Sequence, residues 1–548
     1  MSLRPVNEWI IPKETAHVAH KVFRKPNLWI RLRDELGVLY PDSAFAILFP
    51  QRGQPAESPG RLALVTVVQF AEGLTDREVA DAVRSRIDLK YLLGLALEDA
   101  GFDASVLPEF RQRLVQNSAE NQLLDDLLTR LKAKGVVKVR GQQRTDSTHV
   151  LDSVRTLNRL ELLGETLRHA LNTLAEVVPT LLQAHVPAVW FERYGTRFEA
   201  TRLPKSERER TQLATTIGQD GWTLFQALWQ DPALRILCQA PALDALRQIW
   251  LQNFYWQAEH VIWRRAADLP PAAMLIQSPY DLETHYSTKR TTEWVGYKVH
   301  VTETCDADMP HLITHVETTP ANIRDHQVIP TLHAALADKA LLPADHLVDA
   351  GYVDAQVLVQ SQAAHVNLVG RITPDHSWQA QQGQGFDVPA FAIDWERHQV
   401  HCPQGHPSRY WSPWQRPGQE PAILVQFEKE QCATCPVRVQ CTHSAKGART
   451  LKLLPRAEYE ALYAARQRQT QPEFQKQYAK RAGIESTLSQ GVRAFELRTT
   501  RYIGIAKTHL QHVATATALD LKRYFAWISD SVRLRPAPRF AALAPSCT

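Results

Sequence analysis

Five short runs of apolar and β-branched residues, broken after the first by a long helical block, set the architecture of this chain. The first run lies within residues 135–151, and the others at 296–305, 311–319, 346–352 and 366–372. Between the first and second, residues 155 to about 267 carry apolar positions at helical spacing, among them Leu163, Leu167, Ala170 and Leu174. Helical runs are also expected at 329–340 and 355–362. With the block set aside, the order is β-β-β-α-β-α-β, an α/β core with an all-α insert. The Trp, Leu and Gln of the insert read as packing rather than as a ligand box.

Three acids stand out against this pattern. Asp146 falls in an otherwise extended, apolar run, where a carboxylate is costly to bury unless it is paired or binds a cation. Asp349 ends a short apolar strand, and Gly351 lets the chain turn away from it. C-terminal strand ends are where ligands bind in open α/β sheets. Glu485 lies in a run from Glu473 to about Arg498 that reads as one helix. There Tyr478, Arg481 and Glu485, at i, i+3 and i+7, share a face. Each acid alone is compatible with a turn cap or a salt bridge; the three in this order are the signal.

At 548 residues the chain exceeds one ordinary core, so two to four domains are expected. Net charge is only +5, but residues 444–548 hold 18 Lys and Arg against 7 Asp and Glu, the footprint of a polyanion partner. No apolar run is long enough to span a membrane, and the first residues lack a signal-peptide core. Residues 1 to about 135 read as helical. A helix over 61–72 ending at Gly73, then a second begun by Thr75 or Asp76, resembles a helix-turn-helix.

Four of the seven cysteines fall between 402 and 441. The Cys432-x-x-Cys435 pair, Cys441 and the earlier Cys402 can supply four thiolates to a structural Zn²⁺. Reduced thiols, a redox pair, or His406 or His443 in place of a cysteine are the alternatives. The nearby Trp395, Trp411 and Trp414 read as packing within a small β-rich insert.

Taken together, the motifs at Thr145–Thr148, Gly296–His300, Thr319–Asp325, Val348–Tyr352, Cys402–His406, Cys432–Pro436 and Arg481–Ser486 resemble a bacterial insertion-sequence DDE transposase, most nearly the insertion sequence 1182 family. The tail from Arg498 to Lys507 and the N-terminal helices share the likeness, which covers nearly the whole chain. The resemblance implies an RNase H-like mixed-sheet core with Asp146, Asp349 and Glu485 as a triad for two Mg²⁺ or Mn²⁺ ions. Tyr478, Arg481 and Glu485 fit a signature of related transposases. Its lysine position falls on Val492, so Arg493 is the nearest substitute. Tyr478, Arg481, Arg493, Arg498, Arg501 and Lys507 are the expected DNA contacts.

The expected division is a DNA-binding domain at 1–135, a core from 136–154, 276–375 and 444–530, an all-α insert at 155–275, a Cys-rich insert at 376–443 and a tail at 531–548. The implied activity is cleavage at terminal inverted repeats and transfer of the 3′-OH to target double-stranded DNA, by a homodimer, in the bacterial cytoplasm at the nucleoid. The alternatives are a metal-dependent nuclease or resolvase without strand transfer, and an inactive, domesticated DNA-binding protein.

Overall fold

The structure, a computed structural model, describes residues 2–155, 157–199, 203–232, 234–289, 291–418, 420–444 and 447–529. The tail expected at 531–548 lies outside the described residues. Contacts divide the chain into two units. One takes Met1–Lys138, Asp146–Ile323 and Glu485–Thr548, the other Val139–Thr145 and Arg324–Ile484. The architecture is mixed α/β, with parallel and antiparallel strand pairs.

The first unit opens with helices, as expected. Helix α1 (Pro59–Glu72) is buried along almost its whole length and stops at Gly73, whose φ of +73° suits a residue without Cβ. Helix α2 (Asp76–Ser85) starts with a capping box. The Thr75 hydroxyl accepts the Glu78 N–H at 3.3 Å, and the Glu78 carboxylate accepts the Thr75 N–H at 2.7 Å. Strand β1 (Gln142–Leu151) follows and runs through both units, changing between them after Thr145.

In the first unit the second half of β1 lies beside a meander of β2 (His285–Lys289), β3 (Thr292–Thr304) and β4 (Ile313–Pro320). Strand β3 pairs antiparallel with β2 through its start and with β4 through its end.

The segment between β1 and β2 has its own core, where Leu163, Leu167, Ile217, Leu246, Ile249 and Trp250 are buried together. Its helices include Arg159–Val177, Glu207–Gln230 and Pro241–Asn253. It is not all-α: Phe254–Gln257 pairs antiparallel with His260–Trp263. The two-residue loop uses Ala258 and Glu259 at φ +46° and +64°. Such a turn is usually marked by Asn-Gly; Ala-Glu leaves no mark in the sequence.

In the second unit, α3 (Ile329–Asp338) leads to β5 (Asp345–Leu347), α4 (Ala355–Ala363) and β6 (Asn367–Val369). Strand β5 pairs parallel with the start of β1, Gln142 opposite Asp345, and β6 pairs parallel with β5. The cysteine-rich segment is β-rich, with a sheet of Tyr410–Trp414, Ala422–Gln426 and Thr450–Leu453 over a core of Phe391, Val400, Val425 and Phe427. Trp395 and Trp411 pack on that core and meet edge to face at 5.5 Å.

The run expected as one helix from Glu473 to Arg498 is broken. Helix α5 (Pro472–Ala479) gives way to a 3₁₀ turn at Lys480–Gly483 before α6 (Ile484–Phe495). The Lys480 carbonyl, which an α-helix would give to Ile484 N–H, instead accepts from Arg144 Nη1 at 2.6 Å, and Ile484 N–H turns to Arg481 O. Tyr478, Arg481 and Glu485 are therefore not on one face of a continuous helix. The long helix α7 (Ile505–Ile528) closes the first unit and packs on α1 and β4.

Candidate active site

Asp146 lies mid-strand on β1 and is 7% exposed, its Oδ1 accepting the Ser147 N–H at 2.7 Å. In the second unit, the residue before it is held by a buried chain of imidazoles. His333 Nε2 is 2.9 Å from His346 Nδ1, and His346 Nε2 is 2.7 Å from Thr145 Oγ1. Burial holds His346 well below the ordinary histidine range and brings His333 down to about 4. Both rings are neutral near pH 7, so each offers one donor and one acceptor.

Asp349 follows β5 and caps the short turn Ala350–Tyr352, with Oδ1 accepting the Gly351 N–H at 2.9 Å. It is half-buried. Gly351 serves space rather than backbone freedom, because its φ is not among the positive ones. A Cβ there would meet Asp349 Oδ1 at 3.1 Å and Asp325 Oδ2 at 3.3 Å. Asp325 is thus a second carboxylate beside Asp349. The sequence displayed it in the run from Thr319 but gave no reason to assign it a role.

Glu485 is exposed in the first turn of α6, where a carboxylate is favoured by the helix dipole. Asp146 and Glu485 belong to the first unit and Asp349 to the second. Among the described residues, no group of three His, Cys, Asp or Glu stands arranged to hold a metal ion. The acids do match Mg²⁺ or Mn²⁺ in chemistry, being hard oxygen donors at least partly open to solvent in Asp349 and Glu485.

The basic residues take different roles. In the second unit, Tyr478 stacks on Phe474 at 5.6 Å, and the Arg371 guanidinium sits 5.2 Å from its ring. Arg481 is half-buried in the 3₁₀ turn. In the first unit, Arg493, Arg498 and Lys507 are exposed, and Arg498 Nε donates to Thr148 Oγ1 at 2.8 Å, two residues past Asp146. Arg501 donates to the carbonyls of Leu74 and Gly73 at 2.8 and 3.2 Å and covers the Phe70 ring at 5.5 Å. That guanidinium fastens the turn between α1 and α2.

Sequence reasoning missed Arg144. It is 4% exposed, and its guanidinium lies against Gly483. Only the alternation of an Arg with Asp146 on one strand hinted at it.

Cys402, Cys432, Cys435 and Cys441 line one small cavity of about 30 Å³ together with His406 and Arg449. Burial pushes the Cys441 thiol up; the Arg449 guanidinium opposes this, and the other three sulfurs add to it. The donors and the room suit one soft cation, although the thiols do not close on a point. His443 is engaged elsewhere, its ring tilted against Trp378 with centroids 3.7 Å apart.

Comparison with protein families returned two matches. Residues 401–525 match the family described as the transposase DDE domain, a span that holds both the cysteine cavity and Glu485. Residues 18–113 match a second family, the transposase domain (DUF772), over the N-terminal helices. Both matches are to transposase domains, and they support a DDE transposase, a DNA-transposing enzyme. Comparison with curated proteins and with solved structures returned no match. No helix among the described residues is long and apolar enough to cross a membrane.

Proposed function

We propose that this chain is an insertion-sequence transposase that cleaves DNA at terminal inverted repeats and joins the freed 3′-OH to target DNA. The observation that carries the reading is the match of residues 401–525 to the transposase DDE domain, with Glu485 inside it. The order β1, β3, β4, α3, β5, α4, β6, with parallel pairing of β1, β5 and β6, supports an RNase H-like core. The proposed division gives 1–135 to repeat recognition and 136–154, 276–375 and 444–530 to the core. The likeness to the insertion sequence 1182 family, the homodimer on DNA and the bacterial cytoplasmic, nucleoid-associated location belong to the same proposal.

In this reading Asp146, Asp349 and Glu485 hold Mg²⁺ or Mn²⁺. Such ions, when bound, activate a water or a DNA 3′-OH and stabilise the leaving oxygen in phosphoryl transfer. Asp146 is steadied through Thr145 by His346. Asp349 is oriented by the Gly351 N–H. Exposed Arg493, Arg498, Arg501 and Lys507 hold backbone phosphates, which positions DNA without reading its sequence. Arg481 and Tyr478 would meet the phosphate near the scissile bond. Cys402, Cys432, Cys435 and Cys441, or His406 in place of one, would hold a structural Zn²⁺.

The test is cleavage of a labelled duplex carrying the element's own terminal repeat, with Mg²⁺ or Mn²⁺, wild type against Asp349→Ala. Metal-dependent nicking at the repeat boundary, lost in the variant, is the expected result. Joined products with an added target plasmid separate a transposase from a nuclease. Tight repeat binding without cleavage in either metal would overturn the catalytic reading in favour of a DNA-binding role.

A further inference from the structure

Helix α6 shows Glu485 to solvent and buries the other side at Thr487, which is 2% exposed. Charge, not apolar packing alone, holds that buried side. Glu303 on β3 is fully buried. Its Oε2 accepts from Thr487 Oγ1 at 2.6 Å and from Arg523 Nη1 at 2.8 Å. Arg523, on α7, closes the triangle by donating Nη2 to Thr487 Oγ1 at 2.6 Å. The same guanidinium reaches Gln490 Oε1 at 3.2 Å. All four residues and Glu485 lie in the first unit.

At about 100° per residue, Thr487 and Gln490 lie roughly 160° and 140° round the helix from Glu485. The two anchored positions therefore define the side opposite the acid. A one-residue slip or a rotation of α6 would break the contacts at both positions together. Stability does not call for such a device, since a buried ion pair is often replaced by apolar side chains without loss. What fork-shaped bonding from one guanidinium does supply is a single rotation and register.

We propose that Glu303 and Arg523 are positioning residues that fix the rotation of α6 and so aim Glu485 at the metal. The inference rests on Glu485 being a metal ligand. Neither residue takes part in the chemistry. Glu303 acts through Thr487, and Arg523 through Thr487 and Gln490.

The experiment uses the full chain and reads Mn²⁺ affinity by titration calorimetry beside the thermal midpoint and terminal-repeat cleavage. The double variant Glu303→Leu/Arg523→Met replaces the pair by apolar groups, and Thr487 can turn its hydroxyl to a carbonyl one turn back. Its midpoint should stay near the wild type while Mn²⁺ affinity falls about tenfold or more, the usual scale for losing a group that orients a ligand. Gln490→Leu, which removes only the outer contact, should lose a smaller part of the affinity and serves if the double variant does not fold. Wild-type affinity in the folded double variant, or in Gln490→Leu where that one is needed, overturns the proposal. Glu485→Gln distinguishes the two levels. If it alone loses Mn²⁺, the ligand reading stands and the clamp fails; if it keeps Mn²⁺, both fail.

Discussion

A Cβ on Gly483 would overlap the Arg144 guanidinium, which is itself buried and bonded to the Lys480 carbonyl. Gly483→Ala must therefore displace a buried charge from its acceptor. The expected cost is about 1.5–3 kcal/mol, the range for a hydrogen bond to a charged group. It should appear as a lower midpoint in urea unfolding, and an unchanged midpoint would show that Arg144 moves aside freely. This contact also marks the limit of reading single letters. Asp146, Asp349 and the cysteines can be singled out by type and spacing. Gly351 was noticed for a different reason, backbone freedom, from the one the structure gives it, which is room between Asp349 and Asp325. Arg144 meets Gly483 across more than half the chain, and no local pattern reports such a meeting.

Strand β3 depends on a glycine where its antiparallel partner changes from β2 to β4. Gly296 has a φ of +145°, and a Cβ there would overlap the Val150 carbonyl of β1 and come within 2.8 Å of Asp152 N. Both backbone strain and crowding oppose a side chain. Gly296→Ala should destabilise by about 2–4 kcal/mol and weaken the seam between β1 and β3. Hydrogen exchange at Val150 and Val295 would register the loss; wild-type protection at both would refute it. Elements with strong local signals were legible in sequence: the α1–α2 pair through Gly73 and Thr75, strands β3 and β4 through alternation, the helices α3 and α4 through spacing; β2 was not among the expected strands. The hairpin at Phe254–Trp263 was not, because its turn uses Ala and Glu. The break before α6 was not either, because its cause is Arg144, an acceptor-seeking group on a distant strand.

For the molecule as a whole, the division within β1 has no local signature, since the strand is continuous and only its neighbours change. That division still gives the protein a titration behaviour that can be traced to one unit. His333 and His346 are buried and neutral in the second unit, while the unfolded chain leaves each near the ordinary value of 6.5. A base with a depressed folded pKa contributes stability that is present above 6.5 and is lost as pH falls toward the folded value. For His333 the window runs from 6.5 down to about 4, because the unfolded state binds the proton first throughout it. At about 1.4 kcal/mol per pH unit, the loss approaches 3 kcal/mol at the acid end. Asp152 in the first unit works the other way. Burial lifts it to about 6, so its contribution is present below the unfolded value of 3.8 and fades as pH rises through about 6. Total stability against pH therefore mixes opposed terms, and a single curve would hide them. A variant isolates one. His333→Gln keeps a hydrogen-bonding group facing His346 Nδ1 and removes the titration. Between pH 7 and pH 4 the wild type should lose up to about 3 kcal/mol more than this variant in urea unfolding. Parallel curves for the two proteins would mean that His333 is already solvated or protonated in the fold, and that the chain from His333 through His346 to Thr145 does not hold the start of β1 in the neutral form described.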